Sequence, residues 1–204
     1  MRKRYIQIVG YICLTFSLSA QNPAHKWSVS NGIGVQWFER GNTSWMAALE
    51  YHPTDFVHIG AIYNKFFEEY YENYDNYNPA VGPGSFEAGL YVKSFFKGRF
   101  TGRKSGLYIG ADCRYGKLKS SFLQYRFLTG GVDTIAYTST TAKVMVKWGV
   151  QWWVGKRAVI ELTAPWGIEY AREPYIYSQD GYPIKFKTRN GFVILPALLI
   201  GFNF

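Results

Sequence analysis

NGFVILPALLIGFNF, residues 190–204, reads as a strand that ends on its own hydrophobic face. Phe192, Ile194, Leu198, Ile200, Phe202 and Phe204 recur at period two, and Ala197, Leu199, Gly201 and Asn203 take the opposite face. Chain ends usually fray in water, so a last residue that is bulky, apolar and in phase with a strand implies an end held against an apolar medium. A strand with one side turned to lipid meets that requirement.

Seven earlier segments alternate in the same way, each near the ~9–11 residues that a tilted strand needs to cross a bilayer. They run at about 26–38, 43–52, 56–66, 85–96, 106–122, 139–154 and 157–172. In the first, Trp27, Val29, Ile33 and Val35 oppose Ser28, Ser30, Gly32 and Gly34. In the sixth, Val144, Val146, Trp148, Val150 and Trp152 oppose Lys143, Met145, Lys147, Gly149 and Gln151. Connections near 53–55, 97–105 and 155–156 fall on one side, and those near 39–43, 67–84, 123–138 and 173–189 on the other, where three of the four are long. Short turns on one side and long loops on the other are the asymmetry of membrane barrels. The predicted fold is all-β: one eight-stranded antiparallel up-and-down transmembrane β-barrel. Pro165 and Pro196 fall inside predicted strands, where each removes a ladder hydrogen bond, so a bulge or kink is expected at both. A soluble lipocalin-like ligand carrier would turn the apolar faces inward instead. The apolar last residue and the loop asymmetry argue against it.

The first twenty residues have a different character. Arg2, Lys3 and Arg4 precede a mostly apolar run from Tyr5 to Ser17, and Leu18-Ser19-Ala20 offers small residues at a cleavage point. The expectation is a signal peptide over 1–20 and one barrel domain over 21–204. Three units of the formal +9 charge sit in that leader, and the remaining basic residues are scattered or gathered at turns without a groove-reading motif. Nucleic acid is therefore not an expected partner. Loss of the leader removes Cys13 and leaves Cys113 as the single thiol, so no internal disulfide can form. Aromatic residues make up 19% of a chain whose mean hydropathy is nonetheless slightly polar. Barrels combine the two by showing aromatics to lipid and enclosing polar groups.

These features, with the Gly- and aromatic-rich GLYIGADCRYG (106–116) and the ending GFNF (201–204), resemble the small outer-membrane β-barrel family typified by the OmpA transmembrane domain and OmpX. The resemblance covers the chain beyond the leader and brings no catalytic motif. It implies an outer-membrane location in a Gram-negative-type cell, outer-membrane lipids as surroundings, and recognition of Leu198, Ile200, Phe202 and Phe204 by the barrel-insertion machinery as an assembly signal.

The faces opposite the apolar ones carry Glu50, Glu87, Asp112, Glu161 and Glu169 together with Lys93, Arg114, Lys143 and Lys147. An eight-stranded barrel is only wide enough inside for side chains, and buried charges must pair. An internal polar network that plugs the lumen follows. Beyond the strand ends, Tyr70, Tyr71, Tyr74 and Tyr77 in one long loop and Tyr175, Tyr177 and Tyr182 in another are candidates for surface recognition, since tyrosine offers a large amphipathic contact at low entropic cost. The acids among the first set lack the spacing of a calcium loop. His25, His52 and His58 all map to the short-turn side, with no nucleophile and no metal-ligand spacing beside them. No cofactor, no metal and no enzymatic activity are expected. The reading is a non-enzymatic structural or surface-interaction barrel, with a narrow small-solute channel and an outer-membrane lipid-modifying enzyme as alternatives. The basic turn of Lys97, Arg99, Arg103 and Lys104 suits anionic headgroups or a periplasmic partner.

Overall fold

The computed structural model describes residues 26–36, 42–54, 56–67, 80–81, 84–96, 105–125, 132–154, 157–175 and 185–204. The expected leader, His25, the expected basic turn at 97–104 and the loop tyrosines Tyr70, Tyr71, Tyr74, Tyr77, Tyr177 and Tyr182 lie outside the described residues. Of Tyr175 only the backbone, at the end of a strand, is described.

The strands are β1 (Trp27–Val35), β2 (Thr43–Tyr51), β3 (Val57–Phe66), β4 (Ala80–Val81), β5 (Phe86–Phe95), β6 (Ser105–Tyr125), β7 (Val132–Val154), β8 (Ala158–Thr163), β9 (Trp166–Tyr175), β10 (Lys185–Ile194) and β11 (Ala197–Asn203). All pairings are antiparallel. β1 pairs with both β2 and β11, which closes the sheet on itself. β8 and β9 are collinear halves of one stave and β10 and β11 of the next, so the wall is a closed eight-stranded barrel. The end that carries Trp27 and Phe204 is called the terminal end here, and the opposite one the far end.

The two divided staves are divided at the prolines. β8 stops before Ala164-Pro165 and β10 before Leu195-Pro196. The expected bulges do not form, because pairing keeps one register on both sides of each break: Gly149 faces Thr163 and Val146 faces Trp166, with no residue inserted. Proline removes a donor but leaves its carbonyl, and these carbonyls are used. Leu195 N donates to Pro165 O at 2.8 Å and Val35 N to Pro196 O at 2.9 Å. A missing N–H interrupts the ladder without moving the chain.

Alternation sorts the side chains. The middle of the outer wall is aliphatic, with Leu49, Ile59, Leu90, Leu107, Ile109, Val144, Leu162 and Leu198 exposed. At the terminal end Trp27, Phe56, Phe96, Trp152 and Phe204 are exposed. Toward the far end one register row runs Tyr63, Ala88, Tyr115, Ala142, Tyr170, in which each tyrosine stands beside an alanine of the next strand. An aliphatic band between two aromatic levels is the exterior of a membrane barrel, and the reverse of a lipocalin-like wall. Inside, a small apolar cluster of Met46, Ala48, Ile62, Tyr91, Ala197 and Leu199 shares the space with charged residues.

The predicted loop over 123–138 is corrected. β6 and β7 stay paired as far as Tyr125 and Val132, eight residues past the Phe86–Lys117 pairing where β5 begins, and Ala80–Val81 adds to that ribbon opposite Ser121 and Ser120. The segment is rich in Thr, Val, Ile, Tyr and Phe, residues that suit a pleated surface, so the hairpin continues instead of opening into a loop.

Candidate functional site

All nine charged residues assigned to the interior are buried. They fall into two clusters and one pair.

The first cluster lies toward the terminal end. Glu50 on β2 faces Gly60 on β3, which faces Tyr91 on β5. A Cβ at Gly60 would overlap the Tyr91 ring, so glycine is what lets that ring lie across β3 and donate from its hydroxyl to Glu50 Oε1 at 2.7 Å. The device is repeated across the barrel. Tyr108 lies over Gly149 and donates to Glu161 Oε1 at 2.6 Å. Lys93 joins the two carboxylates: its Nζ contacts Glu50 Oε1 and donates to Glu161 Oε2 at 2.5 Å. Lys147 Nζ stands 3.7 Å from Glu161 Oε1 and 4.1 Å from the centre of the Tyr91 ring, within cation–π range.

The second cluster lies toward the far end. Lys143 contacts Glu87, donates to Gln36 Oε1 at 3.0 Å, and lies 3.6 Å from Glu169. Gln36 Nε2 in turn donates to Glu169 at 3.3 Å, and Thr141 donates to Glu87 at 3.4 Å. Between the clusters Arg114 grips Asp112 through two bonds of 2.9 and 2.7 Å, the planar fork that arginine forms with a carboxylate. These two are neighbours on one face of β6, so period two alone brings them together.

Two histidines extend the first cluster, a grouping that the sequence reading did not make. His52 Nε2 lies 3.6 Å and His58 Nδ1 3.3 Å from Glu50 Oε2, and the two imidazoles stack with centres 3.8 Å apart. The signal was present: Glu50 and His52 share a strand face, and the turn through Pro53 returns His58 opposite His52. Ser28 Oγ lies 3.1 Å from His52 Nε2, a hydroxyl beside a base where none was expected. The carboxylate approaches the same imidazole nitrogen as the hydroxyl, whereas a hydrolytic triad needs it on the other one. The arrangement therefore does not activate Ser28.

Cys113 is free and exposed on the outer wall. Leu198 and Phe204 of the predicted assembly signal are exposed there too, while Ile200 and Phe202 are half-buried.

No protein-family model and no curated protein matches the sequence. Solved structures do. Neisserial surface protein A is similar over 88% of this chain and 97% of its own, with a TM-score of 0.56 at 12% identity. The N-terminal β-barrel domain of Pseudomonas aeruginosa OprF gives a TM-score of 0.46 at 10% identity over 88% of this chain and 98% of its own. Ail of Yersinia pestis gives 0.47 at 14% identity over 88% and 99%. At such identities the likeness is one of fold, and the fold of this chain is that of the small eight-stranded outer-membrane β-barrels.

Proposed function

We propose that the chain is an integral outer-membrane barrel, exported with removal of residues 1–20, whose interior is plugged by its ion-pair network and which acts without catalysis, as a structural or surface-interaction protein, through its far end. One observation carries this reading: among the described residues the wall buries five carboxylates and four Lys or Arg inside while presenting large apolar side chains outward. An interior of this width is filled by such side chains, and a charge in it that loses its partner is costly. In the membrane the terminal end faces the periplasm, and the far-end loops with Tyr70, Tyr71, Tyr74, Tyr77, Tyr175, Tyr177 and Tyr182 face outward, together with the β6–β7 ribbon. Phe204 and the apolar face behind it serve recognition by the insertion machinery, and outer-membrane lipids contact the aliphatic band.

Three measurements test this. Detergent-extracted protein should migrate differently on gels before and after boiling, and it should fractionate with the outer membrane. In planar bilayers it should give no discrete conductance steps. Steady single-channel openings in the unmodified protein would sink the plugged interior and support the narrow solute channel instead.

A further inference from the structure

The network leaves one carboxylate oxygen in unusual company. Both Tyr91 and Lys93 approach Glu50 through Oε1, and Oε2 is left to face His52 and His58. We propose that Glu50, His52 and His58 form a binding site for a divalent transition metal of the zinc type, at the mouth of the lumen on the terminal end.

The donor set is the first argument. Two imidazole nitrogens and one carboxylate oxygen are a common zinc ligand set, and three protein ligands leave a fourth position open. Spacing is the second. Ligands about 2.0–2.1 Å from a tetrahedral ion stand about 3.4 Å from one another. Glu50 Oε2 is 3.3 Å from the His58 nitrogen and 3.6 Å from the His52 nitrogen, and all three donor atoms lie within 4.8 Å of one another. Two edges of the tetrahedron thus already have metal-site length. The third, at most 4.8 Å, closes when the half-buried His52 ring turns out of its stack and exchanges its contact with Ser28 Oγ at 3.1 Å for the ion.

The surroundings hold Glu50, His58 and the backbone of His52 in place. His58 is buried and lies against the Phe95 ring at 4.6 Å between centres. His52 N donates to Lys26 O at 2.8 Å, which fixes the backbone at the start of the turn. The Tyr91 hydroxyl and Lys93 orient Glu50 from its other oxygen, the kind of outer contact that metal-ligating carboxylates carry. Among the described buried side chains the acids outnumber Lys and Arg by five to four, so the interior has an excess of negative charge for a cation to offset.

Cobalt(II) is the probe, because its visible absorption reports tetrahedral nitrogen and oxygen ligation directly. Refolded protein in detergent, titrated with cobalt, should develop a saturable band at one ion per chain, and zinc should bleach it. His52→Ala and His58→Ala should each weaken binding by more than ~100-fold, and Tyr91→Phe, which disturbs only the orientation of Glu50, by ~10-fold. Heat-modifiable gel mobility checks that each variant is folded, and His52→Ala, at the rim, decides the matter if the buried variants fail to fold. Absence of the band in unmodified protein, or a band that survives in folded His52→Ala, overturns the proposal.

Discussion

Lys93 and Glu161, 68 positions apart in the chain, meet inside the barrel at 2.5 Å, and the same ammonium holds Glu50. One cation thus joins β2, β5 and β8 through groups that water does not reach. Lys93→Met should leave Glu50 and Glu161 as neighbouring carboxylates with Lys147 as the nearest remaining cation. Removal of one member of a buried pair costs about 3–5 kcal/mol. Urea unfolding of the barrel in lipid vesicles should show that loss, and part of it should return in Lys93→Met combined with Glu50→Gln. Equal stability of the single variant and the parent would mean that the cluster does not hold the staves together.

Gly60 should tolerate no side chain while Tyr91 is present. Gly60→Ala overlaps the ring and displaces its hydroxyl from Glu50, an overpacking that costs about 1–3 kcal/mol. In a Tyr91→Ala background the same substitution should cost little, since residues in contact are not additive. Two independent costs that simply add would contradict the crossing of β3 by the ring.

Leu90 is 68% exposed in the middle of β5. If that wall faces hydrocarbon, Leu90→Arg costs about 2–4 kcal/mol near the bilayer midplane. In water the substitution would be almost neutral. The unfolding midpoint in vesicles separates the two cases, and an unchanged midpoint would remove the membrane assignment of the outer wall.

Cys113, the register partner of Leu90, is a built-in reporter of the same surface. Charged groups are excluded from hydrocarbon, so a charged thiol reagent reaches a lipid-facing side chain only from water. A charged maleimide should label the protein slowly in vesicles and rapidly after unfolding in urea. Rapid labelling of the folded, vesicle-bound barrel would place this face in water.

Much of this architecture is legible from alternation alone. Period two assigns Glu50, Lys93, Lys143 and Glu161 to one side of the wall, because a strand has only two faces. It does not say which acid meets which base. That depends on register and on the stagger of the staves, as when Tyr91 reaches Glu50 only because Gly60 lies between them. Arg114 and Asp112 are the exception, since they pair within one strand. A proline inside a strand suggests a bulge or kink, whereas the carbonyls of Pro165 and Pro196 accept ladder bonds and the register is kept. The segment 123–138 falls between two alternating segments and so reads as a connection, although its Thr, Val, Ile and Tyr suit a ribbon once two such stretches face each other. His52 and His58 flank the Pro53 turn, but alternation does not join them to Glu50, since the sequence gives no depth for the carboxylate relative to the imidazoles.

The continuation of β6 and β7 past the start of β5 gives the molecule an uneven skyline. Eight more paired residues at about 3.3 Å each put Tyr125 and Val132 about 26 Å beyond the start of β5, measured along the strand. Among the described strands, β1 and β2 stop at Val35 and Thr43, so the described wall at this end is tallest where β6 and β7 pair.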